Sequence, residues 1–303
     1  MKYDSIIIVG PTASGKTLLS IELAKTLKGE IVNADSQQIY KHLNIGTAKV
    51  TDKEKQGINH HLFDLIDVGE DFSVSEYKQL ATQKIKELKS KLLLPIIVGG
   101  TGFYVESLLY NLDFGTSGKN KELRQKYEQL AQEHGNEYVH NILAQLDPKS
   151  ANSLHCNDLK RVIRAIEIAT DGKIKKSEQS KTPANLLHPL IIGLNTDREV
   201  LYNKINLRVE KMLSEGLFDE VIELKNNGYY DSNCVLPIGY SEWKEFFDNT
   251  KSKEEVVEKI KQDTRNYAKR QITWFKRLNC MWLDLYKTPI NKAVEKVLNV
   301  FCE

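Results

Sequence analysis

A glycine-rich loop that ends in lysine and threonine lies close to the start of the chain. Residues 10–17 match the pattern GxxxxGK[ST]. Residues 6–9, directly before the loop, are apolar and β-branched and predict a buried strand, and residues 18–27 after it predict a helix. In this context of strand, loop and helix, the pattern is typical of a phosphate-binding loop, and a plain glycine turn is the weaker alternative.

The residue types of this loop suit a phosphate group. Its glycines let backbone N–H groups close around phosphate oxygens, and the helix N-terminus adds partial positive charge. Lys16 supplies a mobile cation, and the hydroxyl of Thr17 can bind Mg²⁺. The predicted diphosphate-binding residues are Gly10, Pro11, Thr12, Ala13, Ser14, Gly15, Lys16 and Thr17. The loop leaves the reaction open, because nucleotide hydrolysis, phosphoryl transfer and departure of a diphosphate can all use it.

Two further candidates follow predicted strands. Residues 30–35 predict a strand that ends in the carboxylate of Asp35, and residues 92–98 predict a strand followed by three glycines within residues 99–102. Because the carboxyl ends of parallel strands face the ligand crevice, Asp35 is expected near the phosphate loop, and a helix N-cap is an equal alternative for it. The glycines allow a close backbone approach to a ligand, and Thr101 adds a hydrogen-bond donor. A plain strand-to-helix turn is the alternative there.

The middle of the chain differs from its two ends. Strand-like runs are absent over residues 116–189, where charged helical patterns at 119–132 and 157–170 dominate. Strand character returns at 190–194. We therefore expect a helical insertion domain at 116–189.

The remaining residues predict an α/β fold. Long helices are expected over 198–215 and 253–275, in addition to the strands and helices named above. The predicted core domain, residues 1–115 and 190–303, is a P-loop NTPase-like parallel sheet flanked by helices.

Basic residues form two local clusters. The cluster in the insertion consists of Lys160, Arg161, Arg164, Lys173, Lys175, Lys176 and Lys181. The cluster in the last long helix consists of Arg265, Lys269, Arg270, Lys276 and Arg277, interleaved with Tyr267, Trp274 and Phe275. Basic and aromatic side chains together suit phosphate backbones and unstacked bases of RNA. Taken alone, each cluster is as well explained by a solvated charged face.

Composition excludes several classes of protein. The chain of 303 residues is 41% hydrophobic and 28% charged, which is typical of a globular protein. No uncharged run reaches the ~18 residues of a membrane helix, and Asp4 interrupts any secretory signal. The four widely spaced cysteines fit reduced thiols rather than disulfides or a zinc site. We expect a cytoplasmic protein without a membrane partner, and its net charge of +2 neither demands nor excludes nucleic acid.

The ordered set of motifs resembles the tRNA dimethylallyltransferase family, also called tRNA isopentenyltransferases, of bacterial type. The resemblance runs almost from end to end. The motifs lie at residues 10–17, 33–40, 46–49, 60–62, 99–104, 158–164 with Ala165 and Glu167, 197–198, 208–209 with 212–213, 238–240 and 270–275. The phosphate loop alone is common to many families, whereas the ordered set is specific.

The resemblance implies a prenyl transfer to tRNA. The family moves a dimethylallyl group from dimethylallyl diphosphate to the exocyclic amine of the adenosine immediately 3′ of the anticodon, in tRNAs that read codons beginning with U. It implies Mg²⁺ as the cofactor, held through Thr17, and catalytic roles for Asp35, Thr101, Lys16 and Arg208. Asp35 would take the proton of the amine, and the other three would stabilise the departing diphosphate.

The resemblance also implies a set of tRNA-binding residues. These are Asp35, Ser36, Gln37, Gln38, Thr101, Arg124, Lys160, Arg161, Val162, Ile163, Arg164, Arg270, Gln271 and Trp274. The first four would hold the target adenine after it leaves the anticodon stack, as other enzymes that act on a base require. The basic residues would hold the anticodon stem-loop.

Two positions depart from the family pattern. Ser241 stands where many members have arginine, and Lys160 stands where members commonly have Gln or Arg. Lysine keeps the charge but loses bidentate geometry. These departures affect the affinity for tRNA or the choice of tRNA rather than the reaction.

Three other functions are alternatives. An adenylate isopentenyltransferase would use the same donor with a free nucleotide as the acceptor, but it should not need basic RNA-facing helices. A P-loop small-molecule kinase would turn over ATP, and a non-catalytic RNA-binding protein would give no product. We expect a monomer with no obligate protein partner.

Overall fold

The computed structural model describes residues 2–112, 120–170, 182–230, 234 and 236–303. The chain forms two compact units. The first consists of Met1–Leu109 with Ala184–Glu303, and the second is Tyr110–Pro183. The second unit begins and ends earlier than the insertion predicted at 116–189. Its end lies earlier because the chain returns to the first unit before strand β7 begins at Pro189. Residues 171–181, with four of the predicted basic side chains, lie outside the described residues.

A parallel sheet of six strands organises the first unit. Its order is β3-β2-β4-β1-β7-β8. The strands are β1 Ser5–Val9, β2 Gly29–Asn33, β3 His60–His61, β4 Leu94–Gly99, β7 Pro189–Leu194 and β8 Met281–Leu283. The central strand β1 pairs in parallel with β4 and with β7, from Ile6 opposite Ile96 and Leu190 onwards. The expected parallel α/β fold is thereby confirmed.

Helices cover both faces of this sheet. The helices of the first unit are α1 Lys16–Leu27, α2 Asp52–Lys55, α3 Val74–Ser90, α4 Gly102–Leu109, α9 Arg198–Ser214, α10 Leu217–Asn226, α11 Trp243–Phe247, α12 Lys253–Phe275 and α13 Ile290–Cys302. Helices α1 and α13 pack on one face, and α3, α4 and the end of α12 pack on the other.

Alternation along the strands produces these two faces. Ile6 and Ile8 of β1 belong to the cluster with α1 and α13, whereas Ile7 and Val9 belong to the cluster with α3 and α4. All four side chains are fully buried. A parallel strand buried on both faces is a continuous apolar run, and this explains the sequence pattern of residues 6–9.

A third apolar cluster joins the helices that follow the sheet. It contains side chains of α9, α10, α11 and the first half of α12 around the fully buried rings of Tyr240 and Trp243. Leu43 and Val68, from the long segment between β2 and α3, pack into the same cluster. The cluster therefore fixes α9 and α12 beside the loops that follow the strands.

The second unit is mainly helical. Its helices are α5 Lys121–His134, α6 Asn136–Leu146, α7 Pro148–Ser153 and α8 Leu159–Thr170, and a small antiparallel pair joins β5 Tyr110–Asn111 to β6 Thr182–Pro183. Its apolar core includes Val139 and Leu143 of α6 with Val162 and Ile166 of α8. Periodicity predicted α5 and α8 but missed α6 and α7.

No helix in the described ranges is long and apolar enough to cross a lipid bilayer.

Burial differs sharply between β4 and the turn before it, so substitutions at residues 97 and 92 should differ in their effect on stability. Ile97→Ala on β4 removes a fully buried side chain, so it should lower the free energy of unfolding by about 2–5 kcal/mol. Leu92→Ala, at a residue 92% exposed, should change it by less than about 0.5 kcal/mol. Urea denaturation followed by tryptophan fluorescence measures both, because all three tryptophans lie in the first unit. Equal losses would contradict the burial assigned to β4.

Candidate active site

The carboxyl ends of three neighbouring strands bring the predicted residues together. The phosphate loop follows β1, Asp35 follows β2, and Thr101 follows β4. A cavity of about 260 Å³ lies at this edge of the sheet. Its polar lining includes residues 12–17 of the phosphate loop with Asp35, Gln37, Gln38 and Arg208. Parallel α/β folds bind ligands at this place because the loops after the strands converge there.

The phosphate loop is held in shape by its own lysine. Nζ of Lys16 donates hydrogen bonds to the backbone carbonyls of Gly10 and Pro11, at 3.1 and 2.8 Å. The hydroxyl of Ser14 is buried and has no hydrogen-bond partner among the residues that the structure describes. A buried polar group without a partner is costly, so the loop gains when a ligand oxygen supplies one.

Two cations and one carboxylate share this enclosed space. Burial lowers the pKa of Lys16 to about 8, and the charge of Asp35 acts against this effect while that of Arg208 adds to it. Burial likewise lowers the pKa of Arg208, which Asp35 and Glu54 partly offset. Lysine loses its charge readily when it is desolvated, whereas arginine keeps it. The site therefore favours an anionic ligand, which would raise the pKa of Lys16 again and stabilise its charged form.

Asp35 lies in a tight turn just after β2. Its Oδ1 accepts the backbone N–H of Gln37 at 2.9 Å, and its own N–H donates to Oδ1 of Asn33 at 2.9 Å. No helix begins at Ser36, so the alternative of a helix N-cap is wrong, because the hydrogen bond closes an Asx-type turn instead. The strand ends at Asn33, two residues before the predicted end.

Thr101 supports this turn from the neighbouring strand. Its Oγ1 accepts the backbone N–H of Ser36 at 2.9 Å and donates to Oγ of Ser36 at 3.1 Å. Neither residue lines the cavity, in contrast to Asp35 and Gln38. The structure thus places Thr101 beside the Asp35 turn and one layer behind the cavity wall.

One face of α12 forms a wall of the cavity. Ile260, Thr264, Tyr267 and Gln271 follow one another at spacings of four, three and four residues, and all of them line it. The charge of Asp35 adds to the effect of burial in raising the pKa of Tyr267, so its phenol stays protonated. The nearby side chains of Thr101 and Gln271 partly offset this rise in the pKa of Tyr267. We predicted Tyr267 only as part of the basic and aromatic cluster of this helix, and not as a residue of the cavity, although this helical spacing is visible in the sequence.

Gln271 braces the phosphate loop. Its Oε1 accepts the backbone N–H of Thr12 at 2.9 Å, and its Nε2 donates to the carbonyl of Gly100 at 3.0 Å. The side chain is buried and belongs to the cavity wall, not to the outer surface of α12. A Cβ at Gly100 would lie 2.1 Å from Nε2 of Gln271, which explains why this position needs glycine.

An apolar wall faces the polar half of the cavity. Ile205, Val209 and Met212 of α9 are buried and line the cavity at helical spacing, beside Arg208. Pro237, Ile238 and Ile260 extend this apolar lining. The cavity therefore combines a phosphate-binding end with a wall suited to a small hydrocarbon group. The sequence motif contained Arg208, Val209 and Met212, but we predicted a role for Arg208 alone and did not single out Ile205.

The segment after β8 contacts the phosphate loop from outside. The hydroxyl of Tyr286 donates a hydrogen bond to the carbonyl of Ala13, and the side chain of Leu285 packs against Gly15. Ala13 has a φ of 61°, a left-handed conformation that is uncommon outside glycine. No sequence motif pointed to these two residues, because the contact joins distant parts of the chain.

The residues present fit a magnesium ion only in part. Thr17 lines the cavity at the start of α1, where its hydroxyl can serve as an oxygen ligand. Within the described ranges, no group of three or more His, Cys, Asp or Glu side chains could hold a metal ion. A bound Mg²⁺ would thus depend on oxygens of the ligand itself, which is usual for Mg²⁺ with phosphates.

The predicted tRNA-binding stretch of α8 divides into two faces. Val162 and Ile163 are buried in the apolar core of the second unit. Their predicted contact with RNA is corrected, because these side chains pack against α5 and α6 instead of facing solvent. Lys160 and Arg161 are exposed, and Arg161 forms an ion pair with Asp158 at 3.2 Å.

A buried carboxylate organises two of the predicted arginines in the same unit. Arg124 forms a bidentate ion pair with Glu167 at 2.7 Å for both bonds, and Arg164 donates to Glu167 at 3.1 Å. Burial raises the pKa of Glu167, but hydrogen bonds from both arginines outweigh it and keep this pKa below its usual value. Arg124 and Arg164 are thereby fixed at neighbouring positions on α5 and α8.

In the first unit, the predicted RNA-binding residues of α12 also differ in exposure. Arg270 is exposed, and its guanidinium lies 5.5 Å from the centre of the Tyr267 ring. Trp274 is half-buried against Gly102, and its indole N–H has no hydrogen-bond partner in the described part of the chain. Arg270 thus links solvent to the aromatic wall of the cavity.

Comparison with known proteins places this site in context. The family model of IPP transferases matches residues 38–278. A tRNA dimethylallyltransferase of Acetivibrio thermocellus is 48% identical over 98% of this chain and 96% of its own length. One of Clostridioides difficile is 47% identical over 94% of this chain and 92% of its own length.

Solved structures agree with these sequence relatives. The tRNA isopentenylpyrophosphate transferase of Bacillus halodurans superposes with a TM-score of 0.74 at 38% identity, covering 99% of this chain and 96% of its own. A eukaryotic dimethylallyltransferase acting on tRNA superposes with a TM-score of 0.81 at 27% identity, covering 98% of this chain and 79% of its own. Because the family model covers most of the chain and relatives at 47–48% identity match it almost from end to end, the chain belongs to the IPP transferase family of prenyl-transferring enzymes.

Proposed function

We propose that this protein transfers a dimethylallyl group from dimethylallyl diphosphate to the exocyclic amine of an adenosine in tRNA, immediately 3′ of the anticodon. One observation carries the proposal. A single cavity joins a phosphate loop, an apolar wall of α9 and the carboxylate of Asp35. A prenyl diphosphate needs the first two features, and an amine that loses a proton needs the third. The names of the family relatives supply the acceptor.

The donor fits the two halves of the cavity. The diphosphate would bind at Lys16 and the loop amides, and Arg208 would approach it from α9. The hydrocarbon group would lie along Ile205, Val209 and Met212. Small-ligand sites generally combine such an apolar lining with a few placed polar groups, which fix the orientation of the reactive carbon.

Bond formation and bond cleavage are balanced by groups on opposite sides of the cavity. The amine nitrogen attacks the first carbon of the dimethylallyl group, and the C–O bond to the diphosphate breaks with its electron pair on oxygen. Asp35 takes the proton that the amine releases. Lys16 and Arg208 stabilise the charge that grows on the leaving oxygen, and their preorganised positions reduce the barrier.

Thr101 supports this reaction through the turn that carries Asp35. Its hydrogen bonds with Ser36 fix the backbone just after the carboxylate. Gln38 lines the same cavity and supplies an amide that can bind the flipped base. Mg²⁺, bound through Thr17 and the ligand, would neutralise part of the diphosphate charge.

RNA binding would use basic residues of each unit, of which Lys160, Arg161 and Arg270 are exposed and the two arginines at Glu167 are half-buried. Lys160, Arg161 and the arginines paired with Glu167 belong to the second unit, and Arg270 belongs to the first. We also propose that the protein acts as a monomer in the cytoplasm. The four cysteines form no disulfide, which suits a reducing compartment.

A two-acceptor assay tests the proposed function. The protein is incubated with labelled dimethylallyl diphosphate and Mg²⁺, and with either an anticodon stem-loop carrying adenosines 3′ of the anticodon or AMP. Label should enter the stem-loop alone. Label in AMP alone would identify an adenylate isopentenyltransferase, and ATP turnover without prenyl transfer would identify a kinase.

Within this assay, Asp35→Asn should lower turnover by roughly 10²–10⁴-fold, because it removes the base. Its remaining oxygen can still accept the Gln37 N–H, so stem-loop affinity should change little. Asp52→Asn, at an exposed residue of α2, is the matched control and should keep full activity. Equal loss of turnover and of RNA affinity in Asp35→Asn would assign Asp35 a structural role.

The depressed pKa of Lys16 predicts pH-dependent binding of diphosphate. In the ligand-free protein this pKa is about 8, and a bound anion raises it toward its usual value. Between these two values the ligand binds together with a proton, so affinity for inorganic diphosphate should fall as the pH rises above about 8, by up to about tenfold per pH unit. Calorimetry in buffers of different ionisation enthalpy measures the proton uptake.

Lys16→Arg is the control for this prediction, because arginine stays charged throughout this range. Proton uptake should be smaller in the variant than in the wild-type protein. The same uptake in both proteins would show that Lys16 does not titrate on binding.

Exposed arginines predict a salt-dependent affinity for RNA. Arg161→Ala and Arg270→Ala should each weaken stem-loop binding and reduce the slope of log K against log salt by about 0.7, the value for one phosphate contact of a single strand. Lys296→Ala on α13, which packs on the opposite face of the sheet from α12, should leave the slope unchanged. Fluorescence anisotropy at roughly 50 to 300 mM salt, the range over which such contacts weaken, measures the affinity for the stem-loop and hence this slope. An unchanged slope would remove that arginine from the RNA surface.

A further inference from the structure

A carboxylate of α10 binds three consecutive backbone N–H groups of the loop at residues 44–48. Glu220 accepts hydrogen bonds from Asn44 at 3.1 Å, from Ile45 at 3.0 and 3.1 Å, and from Gly46 at 3.3 Å. Successive N–H groups that converge on one anion form a compact and rigid arrangement. Glu220 thus fixes the first half of this loop.

Tyr240 completes the clamp from a second element. Its hydroxyl donates to Oε1 of Glu220 at 2.5 Å and accepts the N–H of Gly46 at 2.9 Å. The Tyr240 ring is fully buried, and a Cβ at Gly46 would lie 2.5 Å from it, so only glycine allows this approach. Burial and the charge of Glu220 raise the pKa of Tyr240, which keeps its hydroxyl protonated as a donor.

The clamped loop continues directly into the cavity. Gly46, Thr47 and Ala48 line it, together with Gln38 and Asp35. Nε2 of Gln38 donates to the carbonyls of Thr47 and Ala48, at 3.1 and 3.3 Å. A carbonyl can only accept, so these two bonds require the NH₂ end of the amide at this position. Oε1 of Gln38 therefore points away from these carbonyls and is available as a hydrogen-bond acceptor.

We propose that Glu220 is a positioning residue that acts, through the loop at 44–48 and the amide of Gln38, on the acceptor amine. This inference rests on the proposed function. The exocyclic amine of adenine carries two N–H donors. Asp35 takes the proton that the amine loses, and Oε1 of Gln38 accepts a hydrogen bond from the N–H that remains. With both N–H directions fixed, the nitrogen electron pair is directed at the allylic carbon, and orientation of this kind lowers the barrier.

Glu220 itself does not line the cavity, and its oxygens are occupied by the loop and by Tyr240. Its effect must therefore pass through the residues that it holds. Without the carboxylate, the N–H groups of residues 44–46 lose their acceptor and the carbonyls of residues 47 and 48 shift. The Gln38 amide could then turn and present its NH₂ group to the amine, which repels it.

A double-mutant cycle tests this inference. Glu220→Gln keeps the shape of the side chain but replaces one acceptor oxygen by a donor that faces backbone N–H groups. In the stem-loop assay it should lower kcat about tenfold, a coupling in the range found for residues of one hydrogen-bond network. In a Gln38→Ala background, the same change should cost less than about twofold, because the residue through which it acts is gone.

Two further measurements separate positioning from folding. The affinity of Glu220→Gln for inorganic diphosphate should equal that of the wild-type protein, because the phosphate loop is not part of the clamp. Glu223→Gln, at an exposed residue one turn further along α10, should keep full activity. Tyr240→Phe removes only the hydroxyl. Like Glu220→Gln, it should lower kcat in the wild-type background but have little effect on kcat in the Gln38→Ala background. This second cycle serves if Glu220→Gln fails to fold.

Additive losses in either cycle, or equal losses of kcat and diphosphate affinity, would overturn the inference and leave Glu220 a purely structural residue. A wild-type protein without transfer activity would overturn the proposed function instead. The two failures are therefore distinguishable.

Discussion

The buried amide of Gln271 is the contact on which the site depends most. It joins the N–H of Thr12 to the carbonyl of Gly100, so one side chain of α12 ties the loop after β1 to the loop after β4. An unsatisfied buried donor or acceptor costs about 1–3 kcal/mol, and this amide satisfies two at once. Because Tyr267 lies one turn earlier on the same helix face, the brace also sets the distance between the phosphate loop and the aromatic wall near Asp35.

With the brace in place, the phosphate loop has most of its own hydrogen bonds formed and lies in a region with more positive than negative charge. Thr12 donates its N–H to Gln271, Lys16 donates to two carbonyls of its own loop, and the buried hydroxyl of Ser14 has no partner within the described residues. Lys16 and Arg208 are two cations, and the charge of Asp35 offsets part of the effect of burial on both of their pKa values. A bound diphosphate would supply the missing negative charge. After transfer the diphosphate carries more charge than the donor did, so the groups that favour bond cleavage also hold the product, and release must compete with them.

Local sequence was sufficient for the parts of the site that follow one strand. The phosphate loop, Asp35 and the glycines after β4 were predicted because strand, loop and residue type are adjacent in the chain. The bounds of α12 were also predicted, since its capping Ser252 and its apolar spacing are local signals. Tyr286 at Ala13 and Glu220 at Gly46 were missed, because these contacts depend on how distant segments pack. Val162 and Ile163 were misassigned for a different reason: a motif names a continuous stretch, whereas a helix presents only one of its faces to solvent.

The apolar wall of the cavity explains why a prenyl diphosphate would suit this phosphate loop better than a phosphoryl donor. A phosphoryl-transfer enzyme needs polar groups around the phosphate on all sides, but here α9 directs Ile205, Val209 and Met212 at the cavity from the side of Arg208. In the proposed reaction these apolar side chains would exclude water from the allylic carbon, and this matters because water competes with the amine for a carbon that is losing its diphosphate. The spacing of Arg208 within this apolar stripe would place the cation at the boundary between the hydrocarbon and the diphosphate. Cleavage of the C–O bond would therefore proceed beside a fixed positive charge and away from bulk water, while the acceptor amine approaches from the side of Asp35 and Gln38.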